Sequence, residues 1–212
     1  PAMAQVPDKP IRIVVPFGAG SSTDIIARII ATGMQEALKQ TVIVENKPGA
    51  DGAISGAEVK RSAPDGNTLL LATNSPLSVA PYLQQKTISY NPVTDFTPVA
   101  HVGYYTFFLV TNPSVPAKSM KDLVAHLKAN PGKLNYATGN TTGIVASALF
   151  ATQAGVDMVR VPYKTEPPAV VDLTSGQVQL MFCSYATMAG LLKDGKLIAH
   201  AVMMPARSSV MP

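Results

Sequence analysis

The residues best suited to chemistry form a loop directly after the first apolar strand. The segment Pro16-Phe17-Gly18-Ala19-Gly20-Ser21-Ser22-Thr23-Asp24 follows Ile11–Val15 and precedes apolar residues at helical spacing. At such a junction the first backbone N–H groups of the helix lack helical partners, and the positive end of the helix dipole favours an anion. Glycine permits close approach, and hydroxyl groups add donors. The loop therefore predicts an anion site.

A second loop of the same kind occurs in the other half of the chain. The segment Thr138-Gly139-Asn140-Thr141-Thr142-Gly143 follows the apolar strand Leu134–Ala137. Either loop alone is as readily an ordinary turn with capping residues. Ligands of open α/β sheets lie beyond the carboxyl ends of the strands, so two loops in matching positions favour a shared site without any arginine. Asp24 is interpreted as a residue that stabilises the helix start.

The elements that must position these loops alternate between strand and helix. Strands are predicted at Ile11–Val15, Thr41–Glu45, Thr68–Thr73, near Thr97–Val102, Phe107–Thr111, Leu134–Ala137, Met158–Val161, Val178–Phe182 and Leu197–Met203. Helices are predicted from Thr23 or Asp24, at Ala53–Arg61, after Ser119 in a capping box with Asp122, near Ile144–Ala154, from Pro167-Pro168 and at Ala186–Lys193. This order predicts an α/β protein with two lobes, each a mostly parallel sheet flanked by helices.

The predicted division places a tail at 1–9, the first lobe at 10–102, the second lobe at 103–202 and the start of a return crossing at 203–212. In the tail, Ala2-Met3-Ala4 before Gln5 has the small-x-small form of a signal-peptidase site. A cloning scar would read the same way, and both interpretations stay open.

Composition excludes several classes of function. The chain of 212 residues is 47% hydrophobic and 14% charged, which suits a compact protein. Its net charge of +4 is scattered, so no nucleic-acid partner is expected. No apolar stretch approaches the roughly 20 residues that span a bilayer, so the chain is not expected to be membrane-embedded. One cysteine and three separated histidines predict no metal and no cofactor.

Enzymatic alternatives rest on weaker patterns. Gly18-x-Gly20-x-x-Thr23 nearly matches a dinucleotide fingerprint, and Glu45 stands where a ribose-binding acid would lie. Thr23 replaces the third small residue, so a nucleotide- or phosphate-binding enzyme is kept as an alternative. Cys183 follows an apolar strand and is more readily a packed thiol than a nucleophile. No catalytic grouping is evident, and the chain is not expected to be an enzyme.

Several segments in order resemble one family. The opening stretch Pro10–Arg28 is similar to the signature of the Bug receptors, the extracytoplasmic solute-binding proteins of tripartite tricarboxylate transporters. Further similar segments are Val44–Ala50, Ala63–Leu70, Val161–Lys164 followed by Pro168-Ala169, Gly176–Val178 and Met181-Phe182.

The resemblance implies a periplasmic-binding-protein-like fold of the Venus-flytrap, type II-like kind and a periplasmic location. It implies a mono-, di- or tricarboxylate closed between the lobes, and membrane transporter subunits as partners. A periplasmic ligand sensor for a membrane kinase is a further alternative. The ligand-binding residues it implies are Phe17, Gly18, Ala19, Gly20, Ser21, Ser22, Thr23, Asn74, Ser75, Thr138, Gly139, Asn140, Thr141, Thr142, Lys164 and Ser184.

The sequence departs from the family at three positions. Ser21 stands where a second glycine is frequent, and Thr165 replaces a usual glycine after Tyr163-Lys164. Cys183 occupies the place of a common aspartate, and the loss of that charge disfavours a ligand with an ammonium group. The family's segment that crosses back to complete the first lobe is missing after Pro212, so an incomplete first lobe is expected.

Overall fold

The computed structural model describes residues 9–83, 88–209 and 211, which divide into two compact units. The first unit comprises Pro1–Ala19 and Thr23–Thr97, and the second comprises Gly20–Ser22 and Pro98–Pro212. The predicted lobe boundaries stay a prediction. The possible export or cloning remnant at Ala2–Gln5 lies outside the described residues.

The first unit contains a parallel sheet of three strands. They are β1 (Ile11–Val15), β2 (Val42–Asn46) and β3 (Thr68–Leu70), in the order β2-β1-β3. Its helices are α1 (Ser22–Leu38), α2 (Ala53–Arg61) and α3 (Ala80–Leu83), with a π-helical turn at Ser75–Val79 before α3. The central strand β1 is largely buried, whereas β3 is only half-buried.

The core of this unit joins one face of the sheet to α1. Ile11, Ile13 and Val15 alternate along β1 and pack with Ala27 and Ala31 of α1. Every second residue of the strand thus contacts residues that are four positions apart on the helix, as amphipathic patterns in the sequence predict. Because the sheet is parallel, the loops that follow β1, β2 and β3 all emerge at one edge.

The second unit contains a mixed sheet of five strands. They are β4 (Phe107–Thr111), β5 (Asn135–Thr138), β6 (Val159–Pro162), β7 (Leu180–Ser184) and β8 (Ile198–Val202), in the order β6-β5-β7-β4-β8. β5 pairs in parallel with β6 and β7, and β4 is antiparallel to β7 and β8. The helices are α4 (Met120–Ala129), α5 (Thr141–Ala154), α6 (Glu166–Ser175) and α7 (Tyr185–Lys193).

Strands β4 and β7 form the two-sided core of this sheet. All residues of both strands are buried. Phe108 and Met181 belong to the apolar cluster on one face, and Phe107 and Phe182 belong to the cluster on the other. Continuous apolar runs are the pattern of strands covered by helices on both faces.

The predicted elements differ from the structure at identifiable places. The strand predicted near Thr97–Val102 is wrong, because this segment has no regular structure and Val99 is 80% exposed. The helix predicted from Ile144 begins at Thr141 instead, since Asn140 acts as its N-cap. The capping box is confirmed: Ser119 Oγ accepts from the Asp122 backbone N–H at 3.2 Å and donates to the Asp122 carboxylate at 2.8 Å. Across the described residues, the helices are too short or too polar to cross a membrane.

Candidate functional site

The loop between β1 and α1 is tied to the end of β2 in the first unit. Phe17 is buried, and its carbonyl accepts from Asn46 Nδ2 at 2.9 Å. Gly18 is half-buried and Ala19 is exposed. Asn46 ends β2, so the loop is held at the carboxyl edge of the parallel sheet.

A run of buried polar residues opens α1. Ser21, Ser22, Thr23 and Asp24 are 3–5% exposed, although all four are polar. Gly20, which precedes them, has a φ of +79°, a left-handed conformation that favours glycine. A buried polar run at a helix start, directly after an apolar strand, is the environment in which the sequence predicts an anion.

Asp24 is satisfied by neighbours within the first unit. Its Oδ1 accepts from Asn46 Nδ2 at 2.9 Å, and its carboxylate pairs with Arg28 one turn further along α1. An acid in the first turn also suits the helix dipole. These contacts support the interpretation that Asp24 stabilises the start of α1.

The exit of β3 contributes the pair Asn74 and Ser75. Asn74 is exposed, whereas Ser75 is buried and its backbone N–H donates to Thr73 Oγ1 at 3.3 Å. Close by, Gly52 has a φ of +91°, and a side chain there would come within 2.9 Å of Pro16 and 3.0 Å of Pro76. Gly52 therefore lets the β1 and β3 exits approach one another.

Glu45, the candidate ribose-binding acid, has a structural partner. Arg12 donates to its two carboxylate oxygens at 2.9 and 2.7 Å and to Glu58 at 2.9 Å. The hydrogen bond from Arg12 lowers the pKa of Glu45. The acid near the end of β2, which suggested a ribose-binding residue, is thus explained by a bidentate ion pair with Arg12.

In the second unit, the polar loop after β5 is largely buried. Thr138 ends β5 and its Oγ1 accepts from Arg160 Nε at 2.9 Å. Asn140 caps α5 by accepting from the Gly143 backbone N–H at 2.8 Å, and Thr141 and Thr142 form the first helical turn. The sequence predicts an anion site without any arginine, whereas Arg160 of β6 contacts Thr138 in this loop.

Gly139 brings this loop against the start of α6. A side-chain carbon at Gly139 would lie 2.6 Å from the Glu166 backbone nitrogen and 2.7 Å from the Thr165 carbonyl carbon. Real Cβ atoms do not approach backbone that closely, so only glycine fits. The loop after β5 therefore packs directly against the backbone at the start of α6.

Glu166 is the residue that sequence reasoning missed. Its side chain lies at the carboxyl ends of the adjacent strands β5 and β7, and the residue is 5% exposed. Oε1 accepts from Asn140 Nδ2 at 2.8 Å, and Oε2 accepts from Ser184 Oγ at 2.6 Å and Thr187 Oγ1 at 3.2 Å. Burial raises the pKa of Glu166, and these hydrogen bonds oppose that rise.

Ser184 links Glu166 to Ser22. Ser184 ends β7, is buried, and lies with its Oγ 2.6 Å from Ser22 Oγ. Ser22 groups with the second unit, together with Gly20 and Ser21. A serine hydroxyl carries one proton, and that of Ser184 goes to Glu166, so Ser22 donates to Ser184.

The remaining candidates differ in their surroundings. Lys164 has an exposed side chain. Cys183 is fully buried, with its sulfur 3.6 Å from the Met188 sulfur. Burial and the nearby Glu166 charge raise the pKa of the Cys183 thiol, so the packed thiol predicted from the sequence is confirmed.

Among the predicted ligand residues, the structure gathers two groups. One lies at the sheet edge of the first unit and contains Phe17, Gly18, Ala19, Thr23, Asn74 and Ser75. The other lies in the second unit and contains Gly20, Ser21, Ser22, Thr138, Gly139, Asn140, Thr141, Thr142 and Ser184.

Comparison with known proteins identifies similar chains. A model described as "Tripartite tricarboxylate transporter family receptor" matches residues 26–212. Protein BugT of Bordetella pertussis is 38% identical over 210 residues, which cover 97% of this chain and 64% of that protein. The chain thus spans somewhat less than two thirds of the length of this relative.

Solved structures agree with the sequence comparison. An R. palustris protein with adipate shares 32% identity at a TM-score of 0.84, covering 93% of this chain and 66% of that one. MatC from Rhodopseudomonas palustris with bound malate shares 29% identity at a TM-score of 0.86, covering 94% and 68%. The predicted periplasmic-binding-protein-like α/β fold is confirmed.

Proposed function

Because the chain belongs to the family of tripartite tricarboxylate transporter receptors, we propose that it captures a small carboxylate for a membrane transporter. The similar structures contain adipate in one case and malate in the other, so carboxylates as a class support the proposal better than any single acid. The proposed location is the periplasm and the proposed partners are the transporter subunits. Receptors of this family act by binding, and no catalytic step is proposed.

The observation that carries this proposal is the buried polar run Ser21–Asp24. It follows β1, whose Val14 and Val15 have no exposed surface, and it opens a helix of 17 residues. Backbone N–H groups and hydroxyls at such a junction bind carboxylates without a cationic side chain. The loop at Phe17–Thr23 is accordingly the proposed carboxylate site, with Asn74 and Ser75 at the same sheet edge.

The site is tested by placing a negative charge in it. Ser21→Asp adds a carboxylate directly before α1, where it suits the helix start but repels a ligand carboxylate. We expect affinity for the best-bound acid to fall by about tenfold or more in calorimetry. Thr32→Asp adds the same charge on the exposed face of α1 and serves as the control. Equal affinity of Ser21→Asp and the control variant contradicts the assignment.

The class of ligand can be tested without choosing a particular acid beforehand. Mass spectrometry of small molecules released from the purified protein should identify a carboxylate. Thermal-shift screening should then show stabilisation by that acid and none by NAD or ATP, because ligands that bind the folded state raise the melting temperature. Stabilisation by a nucleotide alone favours the enzyme alternative.

A further inference from the structure

Two donors in the second unit, Asn140 Nδ2 of the second polar loop and Ser184 Oγ at the end of β7, are already engaged by a carboxylate of the protein. Asn140 is used in both directions, since Oδ1 accepts from Gly143 and Nδ2 donates to Glu166. Ser184 gives its single hydroxyl proton to the same carboxylate. These are the groups that the sequence assigned to a ligand anion.

A series of hydroxyl hydrogen bonds in this part of the second unit leads to Glu166. Ser22 donates to Ser184, and Ser184 donates to Glu166 Oε2. Thr187 Oγ1 lies 3.2 Å from the same oxygen, but its single proton is shared with the nearer Ser184 carbonyl at 2.8 Å. A group of the ligand that reaches Ser184 therefore meets an oxygen whose proton is already donated to Glu166, and it meets the carboxylate behind that oxygen.

From this arrangement we propose that Glu166 selects the charge of the ligand, so that the part bound beside Ser184 and Asn140 is an uncharged or cationic hydrogen-bond donor. The inference rests on the proposed function and narrows it. The group that the preferred ligand presents to Ser184 and Asn140 is a carboxamide, hydroxyl or ammonium group, not a carboxylate. A second carboxylate is disfavoured by repulsion in a poorly hydrated environment.

The proposed role of Glu166 differs from what Cys183 suggests in the sequence. The resemblance led to the expectation that replacing the family's aspartate with Cys183 removes a negative charge and with it the reason to bind an ammonium group. The structure places the Glu166 carboxylate against Ser184, the next residue of β7, and close enough to Cys183 to raise the pKa of that thiol. A carboxyl group is thus present at this edge, supplied by Glu166 of α6.

The experiment compares ligands that differ in one group. Calorimetry at neutral pH and fixed ionic strength measures succinate against succinamate, glutarate against glutaramate, and adipate against adipamate. The proteins are the wild type, Glu166→Gln and the control Asp157→Asn. Asp157 is exposed and lies just before β6, at the opposite end of the strands from Glu166, so its variant loses the same charge at a distance.

We expect the wild type and Asp157→Asn to bind the amide of the best pair about tenfold more tightly than the diacid. Glu166→Gln should abolish that preference or reverse it, because the charge is removed and a glutamine keeps only one acceptor oxygen, so either Ser184 or Asn140 becomes able to donate to the ligand. If Glu166→Gln does not fold, Glu166→Ser replaces it, since this smaller neutral side chain also removes the carboxylate.

The outcomes separate this inference from the function on which it rests. Wild-type protein that binds the diacids as well as or better than the amides overturns the role of Glu166 and leaves carboxylate capture standing. A preference for the amides that persists in Glu166→Gln also overturns it. Wild-type protein that binds no member of any pair, and releases no carboxylate, overturns both.

Discussion

Each unit holds a buried carboxylate at the carboxyl edge of its parallel strands, and the two are balanced in different ways. Asp24 in the first unit pairs with the cationic Arg28 at 3.0 Å and with Asn46. Glu166 in the second unit is held by the neutral groups of Asn140, Ser184 and Thr187. A charge with a cationic partner stabilises local structure, whereas a charge balanced only by dipoles keeps a field that a ligand can sense.

This contrast predicts that the two acids differ most in their effect on stability. Asp24→Ala removes the acceptor of Arg28 and a second acceptor of Asn46, and we expect it to lower the free energy of unfolding by about 2 kcal/mol. Glu166→Gln keeps the shape and removes a costly buried charge, so its loss should stay below about 1 kcal/mol. Urea denaturation followed by circular dichroism measures both.

Glu36→Ala provides the control for Asp24→Ala, because Glu36 is an exposed acid of the same helix. Its effect should be within about 0.5 kcal/mol of zero. If Glu166→Gln is as destabilising as Asp24→Ala, the proposed difference between the two acids is wrong.

The next prediction concerns pH. Burial raises the pKa of Glu166 above its ordinary value of 4.5, so over the window from 4.5 up to the raised pKa the folded protein holds a proton that the unfolded chain has released. The stabilising contribution of this proton is complete below pH 4.5 and is lost as pH rises through the window. The slope is at most about 1.4 kcal/mol per pH unit.

Melting temperatures of the wild type and Glu166→Gln across this range measure the effect. As pH rises, the melting temperature of the wild type should fall relative to that of Glu166→Gln, because the glutamine variant has no proton to lose. A difference that is flat, or that shifts in favour of the wild type, contradicts a buried carboxylate without a cationic partner at this position.

The smallest expected effects separate the two serines of the hydrogen-bonded series. Ser22→Ala removes a hydrogen bond between neutral groups and should cost about 1 kcal/mol. Ser184→Ala removes a donor to a buried carboxylate and should cost about 2 kcal/mol. Ser175→Ala on the exposed surface of α6 is the control. Equal costs for Ser22→Ala and Ser184→Ala indicate that Glu166 does not draw on Ser184 as proposed.

Local patterns in the sequence predicted much of the fold. Helix α2 has the predicted bounds Ala53–Arg61, and β4 has the predicted bounds Phe107–Thr111. In both cases the bounds are set by apolar periodicity and by a proline or glycine within a few residues of the element. The capping box at Ser119 succeeded for the same reason, because its partner Asp122 is three positions away.

The failures arise where distant neighbours decide the structure. Val99 and Val102 favour a strand by propensity, but a strand needs a partner, and the segment is exposed instead. Glu166 looks in sequence like an ordinary acid in the first turn of a helix. Its burial depends on Asn140 and Ser184, which are 26 and 18 positions away. The sequence therefore indicated the loops of the candidate site and missed the charge within it.

Cys183 of β7 contacts Met188 of α7 through their sulfur atoms, so its thiol can report the local separation of β7 and α7. Cys183 is the single cysteine of the sequence and has no exposed surface. Its alkylation by an added thiol reagent requires that β7 and α7 separate at least locally, so the labelling rate measures the free energy of that opening in the second unit. No foreign probe has to be introduced, and the first unit contributes no thiol signal.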